Sequence, residues 1–258
     1  MKNLKFYFSA AISLLIINSF MSCSKDDPTP DIPSDELHEG IFFLNSGKIG
    51  GNNSTLDFFD FQDNKMYSGL FSEKNGRKLG DTANDMIIYG EKLYIAVSGS
   101  KTVEITSLDG TSLKQLHFDG DPRYLVADGA KVYVTLFNGY VARIDTESLE
   151  VEQTVKVGRN PEQITAANGK LYVANSGGLD YASEIGYDKT VSIIDIASFT
   201  ELKKIEVAAN PVCVTIDNDG DVYVASMGNY MDVPASFQRI DSNDNLTVIE
   251  GVIASEMA

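Results

Sequence analysis

The sequence predicts an all-β fold, a β-propeller of four-stranded antiparallel blades, on three observations. A strand signature recurs as Glu91-Lys-Leu-Tyr-Ile-Ala, Ala130-Lys-Val-Tyr-Val-Thr, Gly169-Lys-Leu-Tyr-Val-Ala and Gly220-Asp-Val-Tyr-Val-Ala, placing Tyr94, Tyr133, Tyr172 and Tyr223 at intervals of 39, 39 and 51 residues. Intervals near 40 residues filled with short strands belong to propeller blades, whose small sheets bury their faces only against their neighbours. Hairpin signals sit just before or within each copy: Asn168-Gly169, Asp128-Gly129 and Asp219-Gly220, with Tyr89-Gly90 a weaker version; Asn-Gly in particular supplies two residues that accept positive φ. Asp121-Pro122, Asn160-Pro161 and Asn210-Pro211 open successive units, at the first residue of a strand, where proline need not donate a ladder bond; Thr82-Ala83 takes that place one unit earlier.

One unit shows the four strands, here called A to D. Pro161-Glu-Gln-Ile-Thr-Ala-Ala is strand A, Leu171-Tyr-Val-Ala strand B, Thr190-Val-Ser-Ile-Ile-Asp strand C and Glu201-Leu-Lys-Lys-Ile-Glu-Val strand D. Complete units are expected at roughly 82–120, 121–159, 160–209 and 210–253. The first unit begins at strand B, because Ile41-Phe-Phe-Leu-Asn-Ser-Gly aligns with Leu171-Tyr-Val-Ala-Asn-Ser-Gly. Ala254-Ser-Glu-Met-Ala matches Ala83-Asn-Asp-Met-Ile, the opening of another strand A. The expectation is four to five blades of a C-terminally truncated seven-bladed ring lacking roughly 90 residues, an open arc with exposed strand edges that invite aggregation.

The domain expectations are a lipoprotein signal peptide at 1–22, a lipidated cysteine and acidic, proline-rich tether at 23–37, and the incomplete propeller at 38–258. Lys2 and Lys5 precede the apolar run Phe6 to Phe20, and Phe20-Met21-Ser22 leads into Cys23; the run is short for a membrane span. This resembles the lipobox of bacterial lipoproteins, which implies acylation of Cys23. The acidic Ser24-Lys-Asp-Asp resembles the signal that sends lipoproteins of gut-type diderm bacteria to the outer leaflet, which implies an outer-membrane, cell-surface location. Cys213 is the only other cysteine and lies in an apolar strand, where a buried inert thiol is expected.

Composition excludes several function classes. The formal charge of −16, from 37 acidic and 21 basic residues, opposes nucleic-acid backbones and anionic lipid headgroups. Only His38 and His117 are present, so neither a Ser-His-Asp triad nor a histidine-rich metal site can be assembled, and no enzyme or cofactor is expected. Asp217-Asn-Asp-Gly-Asp lacks calcium-loop spacing and reads as a hairpin turn. Propeller lactonases hold a metal with carboxylate and amide ligands; Asn84, Asp85 and Glu162 are the set here that imitates them, by fold analogy alone.

The connections carry the functional signal. From the strand-B aromatic to the end of strand C the count is 12 for Tyr94–Thr106 and Tyr133–Asp145, but 18 for Phe42–Asp60, 23 for Tyr172–Asp195 and 18 for Tyr223–Asp241. Every insertion thus falls in a B-to-C loop, and these loops should share one face, the common location of a repeat protein's binding surface. They are rich in Asn, Ser, Gly and Tyr, including Tyr181, Tyr187 and Tyr230, types that combine adaptable hydrogen bonding with rigid contact area. The starts of strand A, with Asn84, Asp85, Arg123, Tyr124, Glu162 and Gln163, should line the axis or its rim, with Arg123 and Glu162 able to pair.

Asn160-Pro-Glu-Gln-Ile through Leu171-Tyr-Val-Ala-Asn-Ser resembles the YVTN-type, or YncE-like, propellers. Phe43-Leu-Asn-Ser-Gly, Asn75-Gly-Arg-Lys-Leu-Gly-Asp, Asp85-Met-Ile-Ile-Tyr-Gly, Val141-Ala-Arg-Ile-Asp and Tyr172-Val-Ala-Asn-Ser-Gly-Gly are similar to seven-bladed surface lipoproteins of gut-type bacteria. The resemblance implies a non-enzymatic protein that captures a corrinoid (cobalamin) for a TonB-dependent outer-membrane transporter. The implied binding residues, taken from loop position, are Asn45, Asn53, Arg123, Tyr124, Glu162, Asn175, Tyr181 and Tyr230. A generic envelope scaffold that holds a peptide, a glycan or a transporter loop on the same face is the alternative.

Overall fold

The computed structural model describes residues 39–255 and 257, all within one compact unit. The signal, Cys23, the tether, His38 and Glu256 of the final repeat lie outside those residues. The described chain forms one three-stranded and four four-stranded antiparallel sheets, each a meander in sequence order. The first holds β1 (Gly40–Asn45), β2 (Thr55–Asp60) and β3 (Lys65–Tyr67). The second holds β4 (Ala83–Tyr89), β5 (Lys92–Val97), β6 (Thr102–Ser107) and β7 (Ser112–His117). The third has β8 (Pro122–Asp128), β9 (Lys131–Leu136), β10 (Tyr140–Asp145) and β11 (Val151–Lys156). The fourth has β12 (Pro161–Ala167), β13 (Lys170–Asn175), β14 (Thr190–Asp195) and β15 (Thr200–Glu206). The fifth has β16 (Pro211–Ile216), β17 (Val222–Ser226), β18 (Ser236–Ile240) and β19 (Leu246–Val248). The expected units therefore hold, including a first sheet that begins at strand B.

The recurring tyrosine has a packing reason. Successive residues of a strand face opposite sides, and both faces of β5, β9 and β13 are covered, so these strands read as continuous apolar runs. Tyr94 and Ala96 face the third sheet, clustering with Val132, Val134 and Ile144; Leu93, Ile95 and Val97 face the first, with Leu56 and Phe58. Tyr133 repeats the arrangement against Leu171, Val173 and Phe199 of the fourth sheet, and Tyr172 against Val222 and Val224 of the fifth. The core is thus a series of layers between sheets, with the strand-B tyrosine at the same place in three successive junctions. Full burial of an aliphatic side chain stabilises by roughly 1.5–3 kcal/mol, and each junction contains several.

Turn chemistry follows the sequence with one shift. Ala167 pairs with Lys170, leaving Asn168 and Gly169 as a two-residue loop with φ of 50° and 73°. Asp128, in contrast, is still paired, with Lys131, so the turn is Gly129-Ala130 and only its first residue takes positive φ, 58°. Gly90-Glu91 has the same placement. Glycine at the first central position is the other standard hairpin solution. Asp217-Asn-Asp-Gly-Asp closes a longer hairpin, the Asp217 carboxylate accepting from the amides of Asp219 and Asp221 and from the Tyr223 hydroxyl.

Residues 70–75 depart from the strand-only expectation. Leu70–Asn75 forms a short helix, α1, between β3 and β4. It follows a strand D of only three residues and fills the wedge that a full strand would leave. Leu70 and Phe71 are buried with Leu56, Phe58 and Leu93, and the Asn75 carboxamide both donates to the Gly110 carbonyl and accepts from the Ser112 amide. Six residues cannot sustain a helix by propensity, so tertiary contacts make this one, which is why no local pattern announces it. Phe71→Ala is expected to cost about 3–5 kcal/mol in chemical denaturation; a loss below about 1 kcal/mol would show that the wedge is dispensable.

Candidate ligand-binding face

Strand A carries a β-bulge at its start in every complete blade. Register shifts fall between Ala83 and Asp85, Pro122 and Leu125, Pro161 and Ile164, and Pro211 and Cys213. A bulge re-aims side chains, and here it turns residues at the start of strand A toward the neighbouring inner strands. Asn84 donates to the Arg123 carbonyl at 2.7 Å, and the Asp85 carboxylate accepts from the Leu125 amide at 2.7 Å. Arg123 reaches Glu162 through Nε at 2.9 Å and Nη2 at 2.8 Å, while its guanidinium lies over the Phe137 ring. Gln163 Oε1 accepts from the Val214 amide at 3.0 Å, and Cys213, buried, donates its thiol to the Ser255 carbonyl. These groups stitch each inner strand to the next.

Burial raises the Asp85 carboxyl above the usual carboxylate range, against the lowering effect of the Leu125 and Met86 amides. It raises Glu162 too, opposed by Arg123, and it raises the Tyr124 hydroxyl, with Glu162 adding to the effect. The lactonase-like set Asn84, Asp85 and Glu162 is thus engaged in inter-blade contacts, and no metal-binding cluster of three His, Cys, Asp or Glu occurs among the described residues.

The B-to-C loops share one face, and in the complete blades each is anchored where it begins by a backbone hydrogen bond to its own blade. Ser98, Phe137, Ser176 and Met227, each just after a strand B, donate to the carbonyls of Thr82, Asp121, Asn160 and Asn210, each just before a strand A. Thr82, Asn160 and Asn210 hold positive φ there, a conformation asparagine tolerates better than most side chains. The first loop joins the same series, Ser54 exchanging bonds with Gly80 and Ala83.

The predicted residues divide into four groups. Asn175 is completely buried, its carboxamide accepting from the Gly158 amide and donating to Thr190 and Ser192; it holds the blade together and presents nothing to the face. Asn53 and Asn45 are exposed but engaged locally: Asn53 accepts from the Lys48 amide, closing its own loop, and Asn45 ties Thr55 to Asp57. Asn84, Asp85, Arg123, Tyr124 and Glu162 lie on the inner strands as described. Of the predicted residues, Tyr181 and Tyr230 are the large rings at loop tips, 68% and 67% exposed.

Those tips are rigidly built. In the loop 227–235, Asn229 accepts from the amides of Met231 and Val233 and donates to Asp232, holding Tyr230 at a φ of 58°. A bulky residue at positive φ is strained. In the loop 176–189, Arg159 binds Asp180 and the Gly186 carbonyl, and Asp188 accepts from the Arg159 amide and from Thr190. Asn160 accepts from the Leu179 amide while donating to Phe137. Tyr187 and Tyr230 meet edge to face at 6.3 Å, and burial with the neighbouring tyrosines raises the Tyr187 hydroxyl. A cleft of about 230 Å³ lies between the two loops, lined by Tyr181, Tyr187, Lys189, Asn229, Met231 and Val233. Around it Leu179, Ile185 and Met231 are exposed as well. Loop length pointed to these segments, but Arg159, Asn160, Asp188 and Asn229 were missed as their braces. The positive φ of the residue before strand A, encoded by Asn-Pro, was the available signal for Asn160.

Residues 39–256 match the family described as a domain of unknown function (DUF5074). The chain belongs to the DUF5074 family. No curated protein matches it in sequence. Among solved structures it is similar to hydrazine synthase of Kuenenia stuttgartiensis, with a TM-score of 0.61 at 15% identity over 85% of this chain and 68% of that one. It is also similar to the WD40 β-propeller domain of Doa1, with a TM-score of 0.54 at 16% identity over 72% of this chain and 57% of that one. At those identities the likeness establishes the propeller fold of this DUF5074 chain and carries nothing about its chemistry.

The inner-strand geometry makes a pH prediction. A carboxyl raised by burial binds its proton more tightly in the folded chain, so its contribution to stability falls as pH rises through its titration range. Asp85→Asn keeps an oxygen for the Leu125 amide and removes the buried charge. Its melting temperature should equal or exceed the parent's at pH 7, with the advantage vanishing on acidification below the usual carboxylate range; a large loss at pH 7 would contradict this.

Proposed function

We propose that this DUF5074 chain is a non-enzymatic binding protein, anchored through a lipidated Cys23 at the outer surface of the outer membrane, that captures a corrinoid on its loop-rich face and passes it to a TonB-dependent transporter. The observation that supports this most is the group of apolar tips, Tyr181, Tyr187, Tyr230 and Met231, displayed by two loops whose backbones are fixed by internal hydrogen bonds. Exposed apolar patches of this kind mark interaction sites, and a pre-ordered loop avoids the entropic cost of ordering on binding. The cleft between the loops is smaller than a typical enclosed small-molecule pocket, so a broad amphipathic ligand would rest across the tyrosines with one edge in the cleft. Tyrosine suits such a ligand, giving ring contact together with a hydroxyl, and the protein's net negative charge does not oppose a ligand of small charge.

A second reading has its own support. The same loops also carry Glu184 and Asp232, carboxylates with no cation paired to them among the described residues, and aromatic tips beside acidic groups also suit a protein surface of opposite charge, as in an envelope scaffold.

Titrating the purified protein with cyanocobalamin in a calorimeter separates the two. The corrinoid reading predicts saturable binding, weakened about tenfold or more in a Tyr187→Ala, Tyr230→Ala variant, since each aromatic contact is worth roughly 0.5–1.5 kcal/mol beyond burial. The absence of heat at micromolar concentrations would remove it.

A further inference from the structure

A second cleft, of about 630 Å³, opens between the second and third sheets and shares no lining residue with the tyrosine-lined cleft. Its walls come from the end of β7 and the segment after it, from the β9–β10 loop, and from β11, the outermost strand of its blade. Phe118 and Tyr140 line it and are half-buried, fixed against the apolar layer that holds Leu125 and Leu136. His117, Asp119, Asn138 and Thr154 complete the lining and are exposed.

The hydrogen-bonding state of these side chains sets the cleft apart. On the inner strands and in the long loops many amides and carboxylates are bound within the protein, as Asn175, Asn160, Asp188 and Asn229 show. In the cleft, the His117 imidazole, the Asp119 carboxylate, the Asn138 carboxamide and the hydroxyls of Tyr140 and Thr154 make no hydrogen bond or ion pair within the described protein. Gly120 adds to the opening: a Cβ there would lie 2.2 Å from Asn138 Oδ1, so glycine lets that carboxamide lie against the backbone.

We infer that this cleft is a binding site for a neutral saccharide of about two rings. A sugar presents hydroxyls that both donate and accept, alternating with apolar C–H faces. The cleft offers the complement: acceptors in Asp119 and Asn138, donors in Asn138, Tyr140 and Thr154, and aromatic walls in Phe118 and Tyr140. Its volume falls within the range of small-molecule sites, about 300–1,000 Å³. The Asp119 carboxylate, with no cation paired to it, selects against uronic and sialic acids by like-charge repulsion. This site rests on a different set of residues from the proposed corrinoid site.

Saturation-transfer NMR on the full chain, with maltose, cellobiose, lactose and N,N′-diacetylchitobiose as probes and glucuronic acid as the anionic control, tests the inference. At least one neutral disaccharide should receive transfer at about 10 mM, and glucuronic acid should not. Asn138→Ala and Asp119→Ala, exposed positions whose loss leaves the core intact, should each weaken binding by roughly fivefold or more, while Tyr230→Ala should leave it unchanged. The inference is overturned if none of the four disaccharides receives transfer, if both cleft variants bind as the parent does, or if Tyr230→Ala abolishes the signal.

Discussion

Side-chain-to-backbone hydrogen bonds across blade junctions govern this molecule. Neighbouring propeller sheets share no ladder, so packing alone holds them face to face, and apolar packing resists sliding only weakly because it has little directionality. The bulge at the start of strand A supplies the missing direction. It turns Asn84, Asp85, Arg123 and Gln163 onto the backbone or side chain of the next inner strand. The same logic reaches the loops through Asn160, Arg159 and Asp188. Polar groups spent in this way are unavailable to a ligand.

That constraint reorders the candidate residues. Polar side chains near an axis or in a long loop read naturally as binding groups, yet most of them satisfy backbone amides and carbonyls that would otherwise be buried without partners. The side chains left over are the ones that the fold does not need: apolar rings at the loop tips and a group of unengaged polar residues in the outer cleft. The proposed sites rest on what packing and hydrogen bonding leave unused.

The fold was legible because its signals are local and repeated. Tyr94, Tyr133 and Tyr172 mark the same layer position in three junctions, and Asn-Pro marks the same turn into strand A, so one reading error does not propagate. The helix Leu70–Asn75 was not legible, since it exists through contacts with residues up to 37 positions away, as between Asn75 and Ser112. At the site, loop length identified the segments that carry Tyr181 and Tyr230. It could not separate Asn175, consumed by Gly158, Thr190 and Ser192, from the free tips, because that difference lies in three-dimensional hydrogen bonding between segments distant in sequence.

The most direct measurement is amide hydrogen exchange across residues 176–190, in the parent and in Asp188→Ala. If cross-junction hydrogen bonds fix the loops, the amides of Gly177, Asp188 and nearby Asn210 exchange slowly in the parent, and the substitution accelerates exchange through this loop while the strands Lys170–Asn175 and Thr190–Asp195 stay protected. Exchange at the rate of an unstructured chain in the parent would mean that the tips are not held in place, and the account of a pre-ordered binding face would be wrong.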